Sequence, residues 1–265
     1  MAEVLRKTLP ALGTALLLAG CGGAAGEQPA APRVVPRVEQ AVPAAAPEEK
    51  ACRPGREKRL GSERLAYAAR AEGSVAAFTR PAGRRVREFG RRNVNGVPTV
   101  FGVLGVVRDR SCEPAWYRVQ LPIRPNGATG YVRAKDVALL AVRTRIEVDL
   151  SERRIDFFRD GRRALRVTAG IGSEATPTPT GRYYVNQRLR ASDPKGPFGP
   201  GGIGISAFSP VLTNWVQGGP IAIHGTNDPP SIGRAVTNGC LRIPNGLLLR
   251  MFEANPEGTP VLVRA

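Results

Sequence analysis

Hydrophobic and polar positions alternate in short runs along most of this 265-residue chain. "TVFGVLGVV" (99–107), "AWYRVQLP" (115–122) and "TGYVRAKDVALL" (129–140) are rich in valine, leucine and aromatic residues, with "RPNG" as a turn between the last two. Each predicts strand. "IEVDL" (146–150) and "IDFFRDG" (155–161) keep a period of two, and Asp160-Gly161 signals a hairpin. "ALRVTAGIG" and "GRYYV" predict further strands flanking "TPTPTG" at 176–181. "NGLLLRMFEAN" (245–255) has helical length with leucines on consecutive turns, and "GTPVLVRA" closes the chain as strand. The expected fold class is mainly β: a small antiparallel barrel over 56–141, then a β-sandwich with one or two short helices over 142–265. No internal repeat is evident.

The first fifty-odd residues break this pattern. "MAEVLRK" carries Arg6 and Lys7 ahead of "TLPALGTALLLAG", an apolar run too short for a stop-transfer helix. It ends in Leu18-Ala19-Gly20-Cys21. That ending resembles the processing box of bacterial lipoproteins, and implies a signal peptide over 1–20, cleavage before Cys21 and a lipid thioether on its sulfur. A plain secretory signal with a chance cysteine is the alternative. Residues 21–55 are dominated by Ala, Pro and Gly, lack aromatics and have no apolar period. Such a composition buries too little surface to offset ordering entropy and predicts a disordered tether.

Charge changes the picture less than it first promises. Lys and Arg number 39 against 22 Asp and Glu, a net +17, which prompts a nucleic-acid hypothesis. The export signal argues against nucleic acid, because it places the mature chain outside the cytoplasm, on the lipid-anchor reading held to the membrane and facing the cell wall. Of the basic residues 34 are arginine. GC-rich codon usage accounts for that excess, and so does attraction to anionic lipid headgroups or phosphate-bearing wall polymers. Four cysteines are present. With Cys21 lipidated and Cys240 reserved as a thiol, Cys52 and Cys112 are left, and export favours a disulfide between them over two free thiols.

The candidate chemistry lies in "HGTNDPPSIGRAVTNGCLR" (224–242), where the only histidine of the chain precedes a cysteine by sixteen positions. Thiolates attack acyl carbons, and a free thiol is mostly protonated at neutral pH, so a base is needed. That base is forced to be His224. "PIAIHG" alternates, which sets Ile221 and Ile223 toward the core and His224 on the outward face at a strand end, where Gly225 lets the chain turn. Asn238-Gly239 predicts a second turn that brings backbone N–H groups near the sulfur, where they could stabilise an oxyanion. If 240–242 is extended, Cys240 and Arg242 point the same way, and the guanidinium could grip a carboxylate near the scissile bond.

"IHGT" (223–226), "TNGCLR" (237–242), "TPTPTG" (176–181) and "GPFGPGGIGISAFSP" (196–210) together resemble signatures of the L,D-transpeptidases of bacterial peptidoglycan, in the expected order over about 145–263. The stretch "WYRVQLPIRPNGATGYVRAKDV" more loosely resembles the end of a bacterial Src-homology-3-like barrel, which either holds a ligand or only positions its neighbour. The transpeptidase resemblance implies an L,D-transpeptidase-like sandwich and peptidoglycan stem peptides as partners. It implies Cys240 as nucleophile, His224 as proton shuttle oriented by a backbone carbonyl near Gly225, and the backbone of Gly239 at the oxyanion. Arg242, Thr237, Asn238 and Thr226 are the expected substrate-binding residues. The chain departs from the pattern in carrying Thr237 where serine is frequent, Asn238 where a second histidine is frequent, and Arg242 where some members have asparagine.

Two other motifs lack their context. "GPGGIG" (199–204) matches a dinucleotide fingerprint but reads as a flexible loop lining a groove. "SDPK" (192–195) matches S-x-x-K, but Pro194 and the Gly-Pro run that follows oppose a helix. One histidine cannot make a two-histidine zinc set, so no metal and no cofactor are expected. A carboxypeptidase with the same dyad, and a non-catalytic wall-binding lipoprotein, are the alternative functions.

Overall fold

The computed structural model describes residues 52–265. The expected signal peptide, the lipidation site Cys21 and the tether as far as residue 51 lie outside the described residues. Two eight-stranded sheets organise the rest.

The first sheet contains β1 (Glu57–Arg59), β2 (Ala66–Ala71), β3 (Val75–Phe78), β4 (Arg85–Phe89), β5 (Val100–Arg108), β6 (Pro114–Gln120), β7 (Thr129–Arg133) and β8 (Val137–Val142). Their order is β4-β3-β7-β6-β5-β2-β8, with β1 also on β5, and every pairing is antiparallel. Alternate residues of β2, β3, β5, β6, β7 and β8 converge on one cluster that includes Tyr67, Val75, Phe101, Tyr117, Val119 and Val132. The sheet therefore wraps its own core, as period-two patterning requires of a layer solvated on one face. Cys52 and Cys112 are joined as a disulfide with their Cα atoms 5.9 Å apart.

The second sheet contains β9 (Thr144–Asp149), β10 (Arg154–Arg159), β11 (Arg162–Thr168), β13 (Gly181–Arg190), β14 (Gly201–Phe208), β15 (Pro220–His224), β17 (Leu241–Arg242) and β18 (Pro260–Arg264). β12 (Ile171–Gly172) and β16 (Ala235–Thr237) form a separate two-stranded ribbon, and α1 (Asn245–Ala254) is the α-helix. Asp160 and Gly161, both at positive φ, close the β10–β11 hairpin. The ten-residue β13 joins two layers. Its first half, Gly181–Tyr184, pairs with β18, and after a bulge between Val185 and Gln187 its second half pairs with β14. A bulged strand that serves two layers is how a sandwich turns its corner. Both layers and α1 fill one core, with Ile146, Phe157, Ile203, Ile223, Leu241 and Leu248 among its members.

One expectation fails here. The glycine-rich run at 199–204 is not wholly a loop, because Gly201, Gly202 and Gly204 belong to β14. Glycine lowers strand propensity, which hides the strand from local reading, but pairing on both edges, to β13 and β15, overrides it.

The two sheets meet directly. Tyr184 of β13 is fully buried, and its hydroxyl donates to the Val100 carbonyl at 3.0 Å. The Thr144 and Thr259 hydroxyls share a buried hydrogen bond of 2.6 Å.

Candidate active site

The site is built on a parallel pair. β17 lies beside β15 with Ile223 opposite Leu241 and His224 opposite Arg242. Ile223 and Leu241 are both fully buried in the core. By strand alternation, His224, Cys240 and Arg242 occupy the other side of the same two strands. Sixteen residues of sequence are thus folded back so that Cys240, immediately before β17, lies two positions from Arg242, the residue opposite His224.

His224 lies away from the core, yet only 4% of it is exposed, so the outward placement read from alternation is incomplete. Phe198, itself 57% exposed, stacks edge-on to the imidazole with ring centroids 5.1 Å apart. Nδ1–H of His224 donates to the Gly225 carbonyl at 2.5 Å, which fixes the tautomer with Nε2 as the basic nitrogen. Burial, aided by the nearby Arg242 charge and opposed by the Gly225 bond, pushes the imidazole pKa down to about 4. Burial also pushes the Cys240 thiol up, against a backbone hydrogen bond from Ala222 and the Arg242 charge. Both shifts favour the neutral forms. In those forms the thiol keeps its proton and the imidazole Nε2 is free to accept one.

Close approaches explain two glycines. A Cβ on Gly225 would fall 2.2 Å from Asn245 Oδ1 and 2.9 Å from the Pro200 ring. Asn245, at the start of α1, accepts a 2.7 Å hydrogen bond from the Thr226 N–H through that oxygen, so the helix start, the 196–200 loop and the turn after His224 lock together. Gly239 has φ +108°, a conformation that a side chain would strain.

Thr226 and Thr237 are buried, and their hydroxyls bond the backbone. Thr226 Oγ1 accepts from the Asp228 N–H at 3.0 Å. Thr237 Oγ1 donates to the Cys240 carbonyl at 2.6 Å and accepts from the Gly239 N–H at 3.1 Å. The Gly239 N–H expected at an oxyanion is therefore already engaged within its own turn. Asn238 is exposed beside it. Arg242, expected to grip a carboxylate, has one: Nη1 lies 3.3 Å from Asp228 Oδ2, while its Nε is buried without a hydrogen-bond partner. Cys240 is the free cysteine among the described residues, half-buried, with its Sγ–H directed to the Pro220 carbonyl at 3.9 Å.

Residues that local reading did not single out complete the frame. Thr178, buried, accepts from the Gly172 N–H and donates to the Gly239 carbonyl, both at 2.9 Å. Thr176 donates to the Thr237 carbonyl at 2.8 Å. "TPTPTG" thus supplies alternating hydroxyls that fasten the cysteine turn. Asp228, Asn245 and Phe198 gave no signal of their own, because each acts through a partner distant in sequence.

Fold and site together define a mainly β domain carrying an imidazole at the end of one strand and a thiol just before its parallel neighbour. Residues 143–263 match the family model described as the YkuD L,D-transpeptidase catalytic domain. YkuD of Bacillus subtilis (strain 168), a protein named provisionally as an L,D-transpeptidase, is 39% identical over 93 residues, 35% of this chain and 49% of its own length. The Bacillus licheniformis protein of the same name is 34% identical over 119 residues, 45% of this chain and 64% of its own. The chain therefore spans about half to under two thirds of these relatives. An L,D-transpeptidase structure from Mycobacterium smegmatis aligns at TM-score 0.40 and 15% identity, over 63% of this chain and 90% of that one.

Proposed function

We propose that this chain is a cysteine-dependent L,D-transpeptidase acting on peptidoglycan stem peptides. Cys240 Sγ attacks the carbonyl carbon at the L-centre of diaminopimelate in a donor tetrapeptide. His224 Nε2 takes the thiol proton and returns it to the nitrogen of the departing D-alanine as that C–N bond breaks, leaving a thioester. An amine of a neighbouring stem then adds to the thioester carbon. Its proton passes through His224 to the leaving sulfur, which restores the thiol and leaves a 3→3 cross-link. Arg242 exchanges Asp228 for a substrate carboxylate. The observation that carries this reading is a buried imidazole at the end of β15, held by the Gly225 carbonyl as the Nδ1–H tautomer, and a free thiol immediately before β17, the parallel strand paired with β15.

The same proposal places the mature protein outside the cytoplasm, anchored by lipid on Cys21, with residues 56–141 as a Src-homology-3-like barrel ahead of the catalytic half. Cys21→Ala moves the protein out of the membrane fraction if the anchor is real. Incubation with a disaccharide-tetrapeptide, read by mass spectrometry, tests the activity. Dimer with released D-alanine is the expected result. Tripeptide alone means that water resolves the thioester, as in a carboxypeptidase, and no D-alanine overturns the enzyme reading.

A further inference from the structure

The connection between β6 and β7 reaches across to the second sheet and grips one segment, residues 209–219, from both ends. That segment joins β14 to β15 and carries the exposed Trp215 and Val216. Its base is closed by the Ser209 N–H donating to the Gly219 carbonyl at 2.7 Å. Nη2 of Arg124 donates to the Ser209 carbonyl and to the Gly218 carbonyl, each at 2.7 Å, so one guanidinium nitrogen spans the two ends. The same guanidinium lies over the Phe208 ring, 5.4 Å from its centroid. Asn126 pairs with the Phe208 backbone in both directions, donating to its carbonyl at 2.8 Å and accepting from its N–H at 2.9 Å. Farther along, Asn95 and Gln217 exchange a reciprocal pair of amide hydrogen bonds, at 2.8 and 3.3 Å.

The gripped ends need holding. Gln217, Gly218 and Gly219 are three successive residues at positive φ. A non-glycine residue in that region is costly unless its surroundings fix it, and the Gln217 side chain is held by Asn95, from the connection between β4 and β5. The residue after this run is Pro220, whose carbonyl receives the Cys240 Sγ–H, and His224 ends the strand that Pro220 begins. A displacement at Arg124 is thereby passed along a short stretch of chain to the thiol.

We propose that Arg124 and Asn126 of the first sheet are positioning residues for the catalytic cleft: they hold the 209–219 segment closed and through it set the place of Pro220 beside Cys240. The first sheet is then a working part of the site. This rests on the transpeptidase reading for its effect on turnover, but the clamp itself is measurable without turnover.

The experiment uses the full chain in a Trp116→Phe background, where Trp215 is the remaining tryptophan. Arg124→Ala and Asn126→Ala are expected to make Trp215 more accessible to acrylamide and to change the iodoacetamide reaction rate of Cys240 by about three- to tenfold, with kcat falling about tenfold and KM changing less. Arg124→Lys, which can still donate to both carbonyls, restores most of each effect. Should Arg124→Ala fail to fold, Asn126→Ala and Arg124→Lys carry the test. Unchanged Trp215 quenching and unchanged Cys240 alkylation in both alanine variants overturn the clamp. If the parent protein releases no D-alanine while quenching and alkylation respond as stated, the activity reading fails and the clamp stands.

Discussion

The two sheets use similar residues and are wired differently. Every pairing in the first sheet is antiparallel, including those between strands distant in sequence such as β2–β8 and β3–β7. The second half contains three parallel pairings, β9–β18, β15–β17 and β12–β16. A parallel neighbour requires the chain to leave and return, whereas an antiparallel one needs only a tight turn. Between β15 and β17 the excursion runs over 225–240, and the residues with chemistry lie on it or at its ends: His224, Asp228, Cys240 and Arg242. Local pairing makes a scaffold. The returning crossover makes a candidate site, because it brings Cys240 and Arg242 back beside the strand that ends in His224.

That contrast is broken most sharply at the end of the crossover. Cys240→Ala should abolish acyl-enzyme formation, including the carbapenem adduct that the resemblance to L,D-transpeptidases implies, with no effect on the first sheet. An adduct of full mass surviving in that variant would refute the assignment. His224→Ala should slow acylation by roughly two to four orders of magnitude, the usual span for loss of a general base. Stopped-flow acylation at neutral pH measures it, and a loss under tenfold would mean that another group accepts the proton.

The complementary break belongs to the scaffold. Cys52 and Cys112 close a sixty-residue loop far from the dyad in sequence. Cys52→Ser should cost up to about 4 kcal/mol of stability on the chain-entropy model. Turnover of the folded fraction should not change. Equal losses in denaturation midpoint and in kcat would contradict a division between scaffold and site.

Much of the first sheet was legible because its signals are local. "AWYRVQLP", "RPNG" and "TGYVRAKDVALL" announce strand, turn and strand within reach of one another, and the structure has β6 and β7 there. His224 and Cys240 stood out as candidates for a different reason: one histidine and a motif in fixed order leave little choice. What could not be read is what the crossover creates. β14 was hidden by its glycines, whose strand conformation is imposed by neighbours on both edges. The backbone bonds that Thr226 and Thr237 make, to Asp228, Gly239 and Cys240, also depend on the fold of the turn and leave no local signal.

The pH dependence of stability separates the halves next. The His224 pKa is depressed to about 4 when folded, against an ordinary value near 6.5. Between those values the unfolded chain binds the proton and the folded chain does not, so stability rises with pH across that window. The contribution is fully present above about pH 6.5 and is lost as pH falls toward about 4, roughly 3 kcal/mol in all. Denaturation midpoints should fall over that range in the parent protein and fall less in His224→Gln. Parallel pH profiles for the two proteins would mean that the imidazole is not buried in its neutral form. In activity the same shift keeps Nε2 available as a base to unusually low pH.

The smallest effect tests whether hydroxyls do different work in the two halves. Thr178 Oγ1 bridges the Gly172 N–H and the Gly239 carbonyl inside the second half. Thr178→Val keeps the shape and leaves both backbone groups buried and unpaired, at about 1–3 kcal/mol. Because Gly239 precedes Cys240, that cost should be felt by the turn itself, so kcat should fall along with stability if Cys240 is the nucleophile as proposed. In the first sheet, Tyr131 donates its hydroxyl to Glu57 Oε2 at 2.5 Å, at a half-buried site. Tyr131→Phe removes a hydrogen bond to a charged group and should cost about 1.5–3 kcal/mol or less, since water can reach the carboxylate. Its kcat should stay at the parent value. Each variant removes one hydroxyl, and the two support different sheets: if Tyr131→Phe depresses kcat as much as Thr178→Val does, the first sheet is coupled to the cysteine turn through more than the Arg124 and Asn126 grip, and the scaffold has to be counted as part of the site throughout.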